Sequence, residues 1–129
     1  MKPSRSSPFK SKGGVARILH AFNYSLKGLK AAFLHEPAFR QELLLCIVAV
    51  PLAFWLSANW QQFFVLCSSL VFILVVELLN SAIETLADAL KPDYDPLIGR
   101  AKDIGSAAVL LSFVCALCVW AAILIPNYN

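Results

Sequence analysis

A run of apolar residues from 63 to 76 leads directly into a segment that carries acidic, amide and hydroxyl side chains. The polar residues that define this segment, called the polar stripe below, are Glu77, Asn80, Ser81, Glu84 and Asp88. On a helix that turns about 100° per residue, all five fall on one face. A charged side chain costs about 2.5–3.5 kcal/mol near the bilayer centre on insertion scales. The polar stripe therefore indicates a partner such as a cation, a metal ion or a water-filled cleft.

The remaining acidic residues and several cations lie near the ends of the apolar runs. The acids are Glu36, Glu42, Asp93, Asp95 and Asp103, and the cations are Arg17, Arg40, Arg100 and Lys102. Carboxylates combined with cations are typical of sites where a divalent metal ion holds phosphate groups. A carboxylate in a low-dielectric setting also suits a general base. The pattern favours phosphate chemistry at one membrane interface.

Purely structural roles for the same residues stay open at this point. Glu84 and Asp88 can be solvated residues at a helix end, and Glu77 and Asn80 can form hydrogen bonds between helices. Lys102 can extend its ammonium group from a membrane helix into water without binding any ligand.

The composition is typical of an integral membrane protein. Of the 129 residues, 59% are hydrophobic and 15% are charged, and the mean hydropathy is +0.69. A soluble domain of this length has too much surface to hide so much apolar matter. The length fits one domain.

Hydrophobic periodicity predicts an all-α membrane protein. Residues 1–13 are rich in Ser, Lys, Pro and Gly, and they are predicted to form a disordered basic tail before a single domain at 14–129. Apolar residues recur at helical spacing over 15–34 with basic residues between them, which predicts an amphipathic helix on the membrane surface. Three apolar stretches follow, with predicted spans at 40–58, 63–90 and 101–125.

The basic residues predict the orientation of the chain in the membrane. No Lys or Arg occurs between Gln41 and Leu90 or after Lys102. By the positive-inside rule, the N-terminus and the connection between the second and third spans lie in the cytoplasm. Nucleic-acid binding is not expected, because the basic residues form no patch with interleaved aromatics away from the membrane-adjacent segments.

Standard sequence motifs for nucleotide binding are missing. The chain contains neither G-x-x-x-x-G-K-[ST] nor G-x-G-x-x-G, and it has no catalytic-loop signature of the soluble kinases. Any nucleotide chemistry at the polar stripe must therefore proceed without these known phosphate-binding loops.

Two segments resemble the signatures of a known family. Residues 77–84 read ELLNSAIE and closely resemble the E-[VIL]-[LI]-N-[ST]-A-[IV]-E signature of the prokaryotic diacylglycerol kinase family. Residues 99–109, GRAKDIGSAAV, are similar to the second signature of that family. Shorter matches are YSLKGL at 24–29 and AFRQE at 38–42. The resemblance extends over roughly residues 14 to 125.

The resemblance implies a small homotrimeric lipid kinase of the bacterial inner membrane, with a surface helix and three spans in each protomer. The implied reaction transfers the γ-phosphoryl group of MgATP to the hydroxyl of diacylglycerol and gives phosphatidic acid. ATP is then a co-substrate, Mg²⁺ is the cofactor, and a membrane lipid is the acceptor. A polyprenol such as undecaprenol is the alternative acceptor within the same class of enzyme.

The resemblance also implies roles for individual residues. Glu77 matches the catalytic base of the family, and Glu36 and Glu84 match its metal-binding acids. The implied nucleotide-binding residues are Arg17, Tyr24, Glu36, Glu84, Asp93, Asp95, Lys102 and Asp103. The implied substrate-binding or site-shaping residues are Ser25, Arg40, Gln41, Glu42, Asn80, Asp88 and Ser106.

Two non-enzymatic alternatives make different predictions. A small cation channel requires acids through the whole depth of the spans, whereas the acids of this chain stop at the predicted inner half. A catalytically silent membrane scaffold would fail to bind MgATP.

Overall fold

The computed structural model describes residues 13–90, 93 and 95–129. Within these residues the regular structure consists of four α-helices: α1 Gly14–His35, α2 Pro37–Leu56, α3 Trp60–Leu90 and α4 Pro96–Tyr128. The predicted all-α fold class is confirmed. Residues 1–12 of the predicted tail, and Lys91, Pro92 and Tyr94 between the predicted second and third spans, lie outside the described residues.

Helices α2, α3 and α4 are each long and apolar enough to cross a membrane, with 20, 31 and 33 residues respectively. A helix rises about 1.5 Å per residue, so about 20 residues cross a hydrocarbon core of about 30 Å. Helices α3 and α4 are therefore longer than one crossing requires. Their extra turns can carry polar groups at or beyond the membrane interface, and the polar stripe lies in the last part of α3.

Helices α1 and α2 meet at Glu36, in a bend called the elbow below. Glu36 has an extended backbone (φ −113°, ψ 101°), which is the conformation that a residue before proline prefers. Pro37 then occupies the first turn of α2, where backbone N–H groups have no partner inside the helix, so the missing N–H of proline costs no hydrogen bond. Nη1 of Arg40 donates hydrogen bonds to the carbonyls of Phe33 at 2.8 Å and Leu34 at 3.2 Å. These bonds satisfy acceptors at the end of α1 that have no partner inside the helix.

Helix α4 begins at Pro96, earlier than the span predicted from residue 101. Oδ1 of Asp95 accepts hydrogen bonds from the backbone N–H of Leu97 at 2.9 Å and of Ile98 at 3.4 Å. Asp95 thus caps the helix, and Pro96 supplies a favourable first residue. Pro96 lies between the predicted second and third spans, although an acidic cap followed by proline is a signal for a helix start.

Helix α3 lies between α2 and α4 and packs against both. Buried alanines of α2, Ala49 and Ala53, allow a close approach to α3. On the α4 side, Nε1 of Trp120 donates a hydrogen bond of 3.1 Å to Oγ of Ser69. These contacts fix the rotation of α3, so that the polar stripe faces α2, the elbow and α4.

Candidate functional site

Three residues of the polar stripe, Glu77, Asn80 and Glu84, line a cavity of about 340 Å³, called the acidic cavity below. Its lining comprises Glu36, Pro37, Ala38, Glu42, Glu77, Asn80, Glu84, Ser106 and Val109. The elbow, α2, α3 and α4 all contribute to it. The cavity thus brings together four carboxylates, two from the elbow and α2 and two from α3.

Glu77 is the most deeply buried acid of the cavity, with 3% of its surface exposed. Oγ of Ser81, one turn further along α3, donates a hydrogen bond of 3.2 Å to its Oε1. Glu42 of α2 is 7% exposed, and its carboxyl group lies close enough to that of Glu77 to interact with it. Oε2 of Glu42 is buried without a hydrogen-bond partner among the described residues. Buried carboxyl groups with unmet hydrogen-bonding capacity are costly for stability, which indicates a site kept for a ligand.

Asn80 and Glu84 continue the polar stripe towards the end of α3. Nδ2 of Asn80 donates a hydrogen bond of 3.4 Å to Oε1 of Glu84. Asn80 is buried, whereas Glu84 is half-buried and can be reached from the acidic cavity. The amide therefore holds one oxygen of Glu84 and leaves the other free to take part in binding.

The carboxylates of the acidic cavity supply oxygen atoms, which are the ligands that hard divalent cations prefer. Mg²⁺ is usually held by one or two carboxylates, with phosphate and water oxygens completing its shell. Glu36 and Glu84 line the same cavity and supply such oxygens. Within the described ranges, no group of three or more His, Cys, Asp or Glu residues is arranged to hold a metal ion. Because one or two carboxylates fill only part of the coordination shell of Mg²⁺, the site suits a cation that arrives with phosphate.

A second, larger cavity of about 870 Å³ lies between α1 and the last part of α3, and it is called the apolar groove below. Its lining comprises Ser25, Gly28, Leu29, Ala31, Ala32, His35, Glu36, Leu78, Ser81, Ala82, Thr85, Leu86 and Ala89. Glu36 lines both cavities, so the two adjoin at the elbow. Oγ of Ser25 donates to the carbonyl of Ala21 at 3.0 Å within α1. The groove offers an apolar path that ends beside carboxylates.

An ion pair joins the ends of α3 and α4. Nζ of Lys102 lies 3.0 Å from Oδ1 of Asp88. Both side chains are partly or largely exposed to solvent, at 39% and 68% respectively. Exposed ion pairs contribute about 0–1 kcal/mol. Lys102 can therefore exchange Asp88 for another anion at low cost.

Several residues singled out in the sequence line neither cavity. These residues are Arg17, Tyr24, Arg40, Gln41, Asp88, Asp93, Asp95, Lys102 and Asp103. Nζ of Lys27 lies 5.6 Å from the ring centre of Tyr24, and both are exposed on α1. Arg40 and Asp95 make the structural contacts at the helix ends described above. The structure thus gathers Glu36, Glu42, Glu77, Asn80, Glu84 and Ser106 in one cavity. Ser25 lines the apolar groove, and the remaining positions lie outside both cavities.

Two residues of the site had no role assigned from the sequence. Ser81 belongs to the polar stripe, and its spacing of four residues from Glu77 was the signal for their hydrogen bond. Gly105 of α4 is buried against Asn80. No sequence pattern predicts that contact, because it depends on the register between α3 and α4.

Comparison with known proteins identifies a family and relatives that this chain resembles in sequence. Residues 23–124 match the family described as prokaryotic diacylglycerol kinase. The chain is 45% identical over 116 residues to the diacylglycerol kinase of Escherichia coli (strain K12), a match that covers 90% of this chain and 95% of that protein. It is 44% identical over 119 residues to the diacylglycerol kinase of Pseudomonas aeruginosa, covering 92% and 97%. It is 36% identical over 121 residues to that of Helicobacter pylori, covering 94% of each chain.

Proposed function

The chain belongs to the prokaryotic diacylglycerol kinase family, and from this premise we propose that it transfers the γ-phosphoryl group of ATP to the hydroxyl of diacylglycerol. The observation that carries the proposal is the buried Glu77 in the acidic cavity, beside an apolar groove that meets the cavity at Glu36. A lipid kinase needs both features, because it must bring a phosphate donor from water to a hydroxyl that is anchored in the membrane.

Glu77 is proposed to accept the proton of the lipid hydroxyl. Ser81 donates a hydrogen bond to Oε1 of Glu77 and so orients its carboxylate, which is proposed to take up the proton. As the hydroxyl oxygen forms its bond to the γ-phosphorus, the bond from that phosphorus to the bridging oxygen of ADP breaks. The hydroxyl proton passes to Glu77, and the products are phosphatidic acid and ADP.

Glu36 and Glu84 are the residues proposed to hold Mg²⁺, since both line the acidic cavity and both present carboxylate oxygens. When bound, the ion neutralises charge on the phosphate oxygens. Asn80 supports this role by fixing one oxygen of Glu84 through its NH₂ group.

The nucleotide is proposed to approach from the side where α3 ends and α4 begins. Lys102 offers an exposed cation there and can leave Asp88 for a phosphate group. Further nucleotide contacts are proposed, from the family resemblance, at Arg17, Tyr24, Asp93, Asp95 and Asp103. Asp95 already caps α4, so any contact that it makes with the nucleotide must be compatible with that cap.

The apolar groove is proposed to hold acyl chain, with the glycerol hydroxyl at its end beside the acidic cavity. Ser25 lines the groove, and Glu42 and Ser106 line the cavity. Arg40, Gln41 and Asp88 are proposed to act at the margins of this path or to shape it. The elbow bond from Arg40 to α1 supports a shaping role, because it fixes the angle at which α1 covers the groove.

We place the protein in the bacterial cytoplasmic membrane with its N-terminus in the cytoplasm, on the distribution of its basic residues. The acidic cavity then opens to the compartment that holds ATP. A homotrimer is proposed from the family resemblance. Helix α4 supports it indirectly, because few of its residues are buried within one chain and much of its surface can contact lipid or a second copy.

The decisive assay supplies the purified chain with γ-labelled ATP and with phospholipid vesicles that contain either diacylglycerol or undecaprenol. We expect labelled phosphatidic acid, and we expect Glu77→Gln to lower its rate at least about a hundredfold, the usual contribution of a general base. A Glu77→Gln protein that is folded yet turns over normally would remove the base assignment. If the label is found on undecaprenol instead, phosphoryl transfer stands and the proposed acceptor lipid must be replaced.

A further inference from the structure

Gly105 is a buried residue of α4 that faces Asn80 across the α3–α4 interface. A Cβ placed on Gly105 would collide with Oδ1 of Asn80, and it would also lie 3.4 Å from Cγ of the same amide. A Cβ at Gly13, Gly14 or Gly28 would meet nothing within 4 Å. The amide of Asn80 therefore occupies the volume that any other residue at position 105 would fill.

The amide of Asn80 has two ends in very different surroundings. Its Oδ1 is buried against Gly105 and has no hydrogen-bond partner among the described residues. Its Nδ2 donates to Oε1 of Glu84 at 3.4 Å. Reversing the amide would place Oδ1 against a carboxylate, which also has only acceptors when ionised. In this orientation Oδ1 of Asn80 is left without a hydrogen bond, and Nδ2 donates one to Glu84.

We propose that Gly105 is a positioning residue for Glu84. Because it has no side chain, it leaves room for the amide of Asn80 to pack against α4 while its NH₂ group donates to the Glu84 carboxylate. This inference rests on the proposed function, in which Glu84 binds the metal ion.

The expected consequence is a change in metal affinity. Groups that orient a metal-binding side chain typically alter affinity ten- to a hundredfold when they are lost. Alanine at position 105 displaces the amide, so Glu84 loses the donor that holds its Oε1. The free carboxylate can then rotate away from the acidic cavity, and the cavity binds a divalent cation less well.

The test uses Mn²⁺ as a paramagnetic probe, bound to the full chain in phospholipid bilayers with a non-hydrolysable ATP analogue and followed by electron paramagnetic resonance. Gly105→Ala is expected to weaken Mn²⁺ binding about tenfold. Gly14→Ala makes the same chemical change at a helical position with open space around it, and it should bind as the unchanged protein does. Equal affinity in Gly105→Ala and the unchanged protein would overturn the proposal.

A second comparison distinguishes a positioning role of Gly105 from a packing role. It can also be made if the Gly105→Ala chain does not fold. Asn80→Ala removes the amide and makes room for a side chain at 105. If Gly105 serves only to accommodate Asn80, Gly105→Ala should have no further effect on Mn²⁺ affinity in the Asn80→Ala background. A further loss in the double variant would contradict the proposal, as would failure of the unchanged protein to bind Mn²⁺. Mn²⁺ binding without lipid phosphorylation would instead reject the proposed function alone.

Discussion

At the scale of single residues, the hydrogen bond from Ser81 to Glu77 is the contact closest to the proposed chemistry. It holds one oxygen of a buried carboxylate in place. A hydrogen bond to a charged group contributes about 1.5–3 kcal/mol, and about 1.4 kcal/mol corresponds to a tenfold change in rate. Ser81→Ala should therefore lower kcat about tenfold or more in the lipid phosphorylation assay, with a smaller change in the KM for ATP.

Ser68 provides a matched control for this substitution. It lies on the exposed side of the same helix, and its Oγ donates to the carbonyl of Phe64 at 2.7 Å. Ser68→Ala removes a hydroxyl of the same type from α3 without touching either cavity, so kcat should stay unchanged. If both variants lose activity equally, the loss reflects the helix and not the orientation of Glu77.

Glu84 gives a prediction about magnesium. Replacing its carboxylate by an amide removes the negative charge of one of the two proposed metal-binding residues and exchanges one of its oxygens for an NH₂ group, while the side chain keeps its size. Glu84→Gln should therefore raise the Mg²⁺ concentration that gives half-maximal activity by about tenfold or more, and extra Mg²⁺ should restore part of the rate. An unchanged magnesium titration would assign Glu84 a structural role.

The two neighbours of Glu77 and Glu84 show how far the sequence can predict a site. Ser81 and Asn80 could be placed on the same face as Glu77 and Glu84 from helical periodicity alone, because residues three and four apart share a face. The contact between Asn80 and Gly105 could not be predicted in this way. It depends on how α4 is rotated and shifted against α3, and a single sequence does not encode that register in any local pattern.

At the scale of helices, the start of α4 combines a structural role with a proposed binding role. Asp95 caps the helix through the N–H groups of Leu97 and Ile98. Loss of such a cap costs about 0.5–2 kcal/mol, so Asp95→Ala should lower the thermal unfolding midpoint. Asp95→Asn keeps an oxygen in the capping position and should preserve the midpoint. A raised KM for ATP in Asp95→Asn would then separate the proposed nucleotide role from the cap, whereas an unchanged KM would remove that role.

The helix boundaries were predictable where the signals were local. Pro37 marks the elbow in the sequence because proline tends to begin a helix and to force an extended residue before it. The same signal is present at Pro96, but the third span was predicted to begin only at residue 101. The bond from Arg40 back to α1 was not predictable, since it depends on the angle between two helices.

At the scale of the whole molecule, polar residues are concentrated at the two ends of the helical bundle. The end that contains the elbow holds the acidic cavity, the apolar groove and the Lys102–Asp88 pair. The opposite end holds a small amide cluster where α4 finishes beside the α2–α3 connection. Hydropathy and charge predicted three spans and the clustering of acids at one end. They did not predict the amide cluster, because its residues read as ordinary interfacial polar residues.

The amide cluster at the opposite end should support stability without affecting chemistry. Nδ2 of Asn127 donates to Oε1 of Gln62 at 2.8 Å and to the carbonyl of Leu56 at 3.5 Å, and its Oδ1 accepts from Nε2 of Gln62 at 3.2 Å. Each hydrogen bond contributes about 0.5–1.5 kcal/mol. Asn127→Ala should therefore lower the free energy of unfolding by about 1.5–4.5 kcal/mol, measured as a lower thermal midpoint in bilayers or detergent.

Because a hydrocarbon core of about 30 Å separates the two ends, Asn127→Ala should leave the KM for ATP, the magnesium requirement and kcat at moderate temperature unchanged. Gln61→Ala, at an exposed amide in the first turn of α3, is the control and should change neither stability nor activity. A changed KM for ATP in Asn127→Ala would mean that α4 transmits a shift along its whole length. The bundle would then couple its two ends, and the site could not be treated as a property of the elbow end alone.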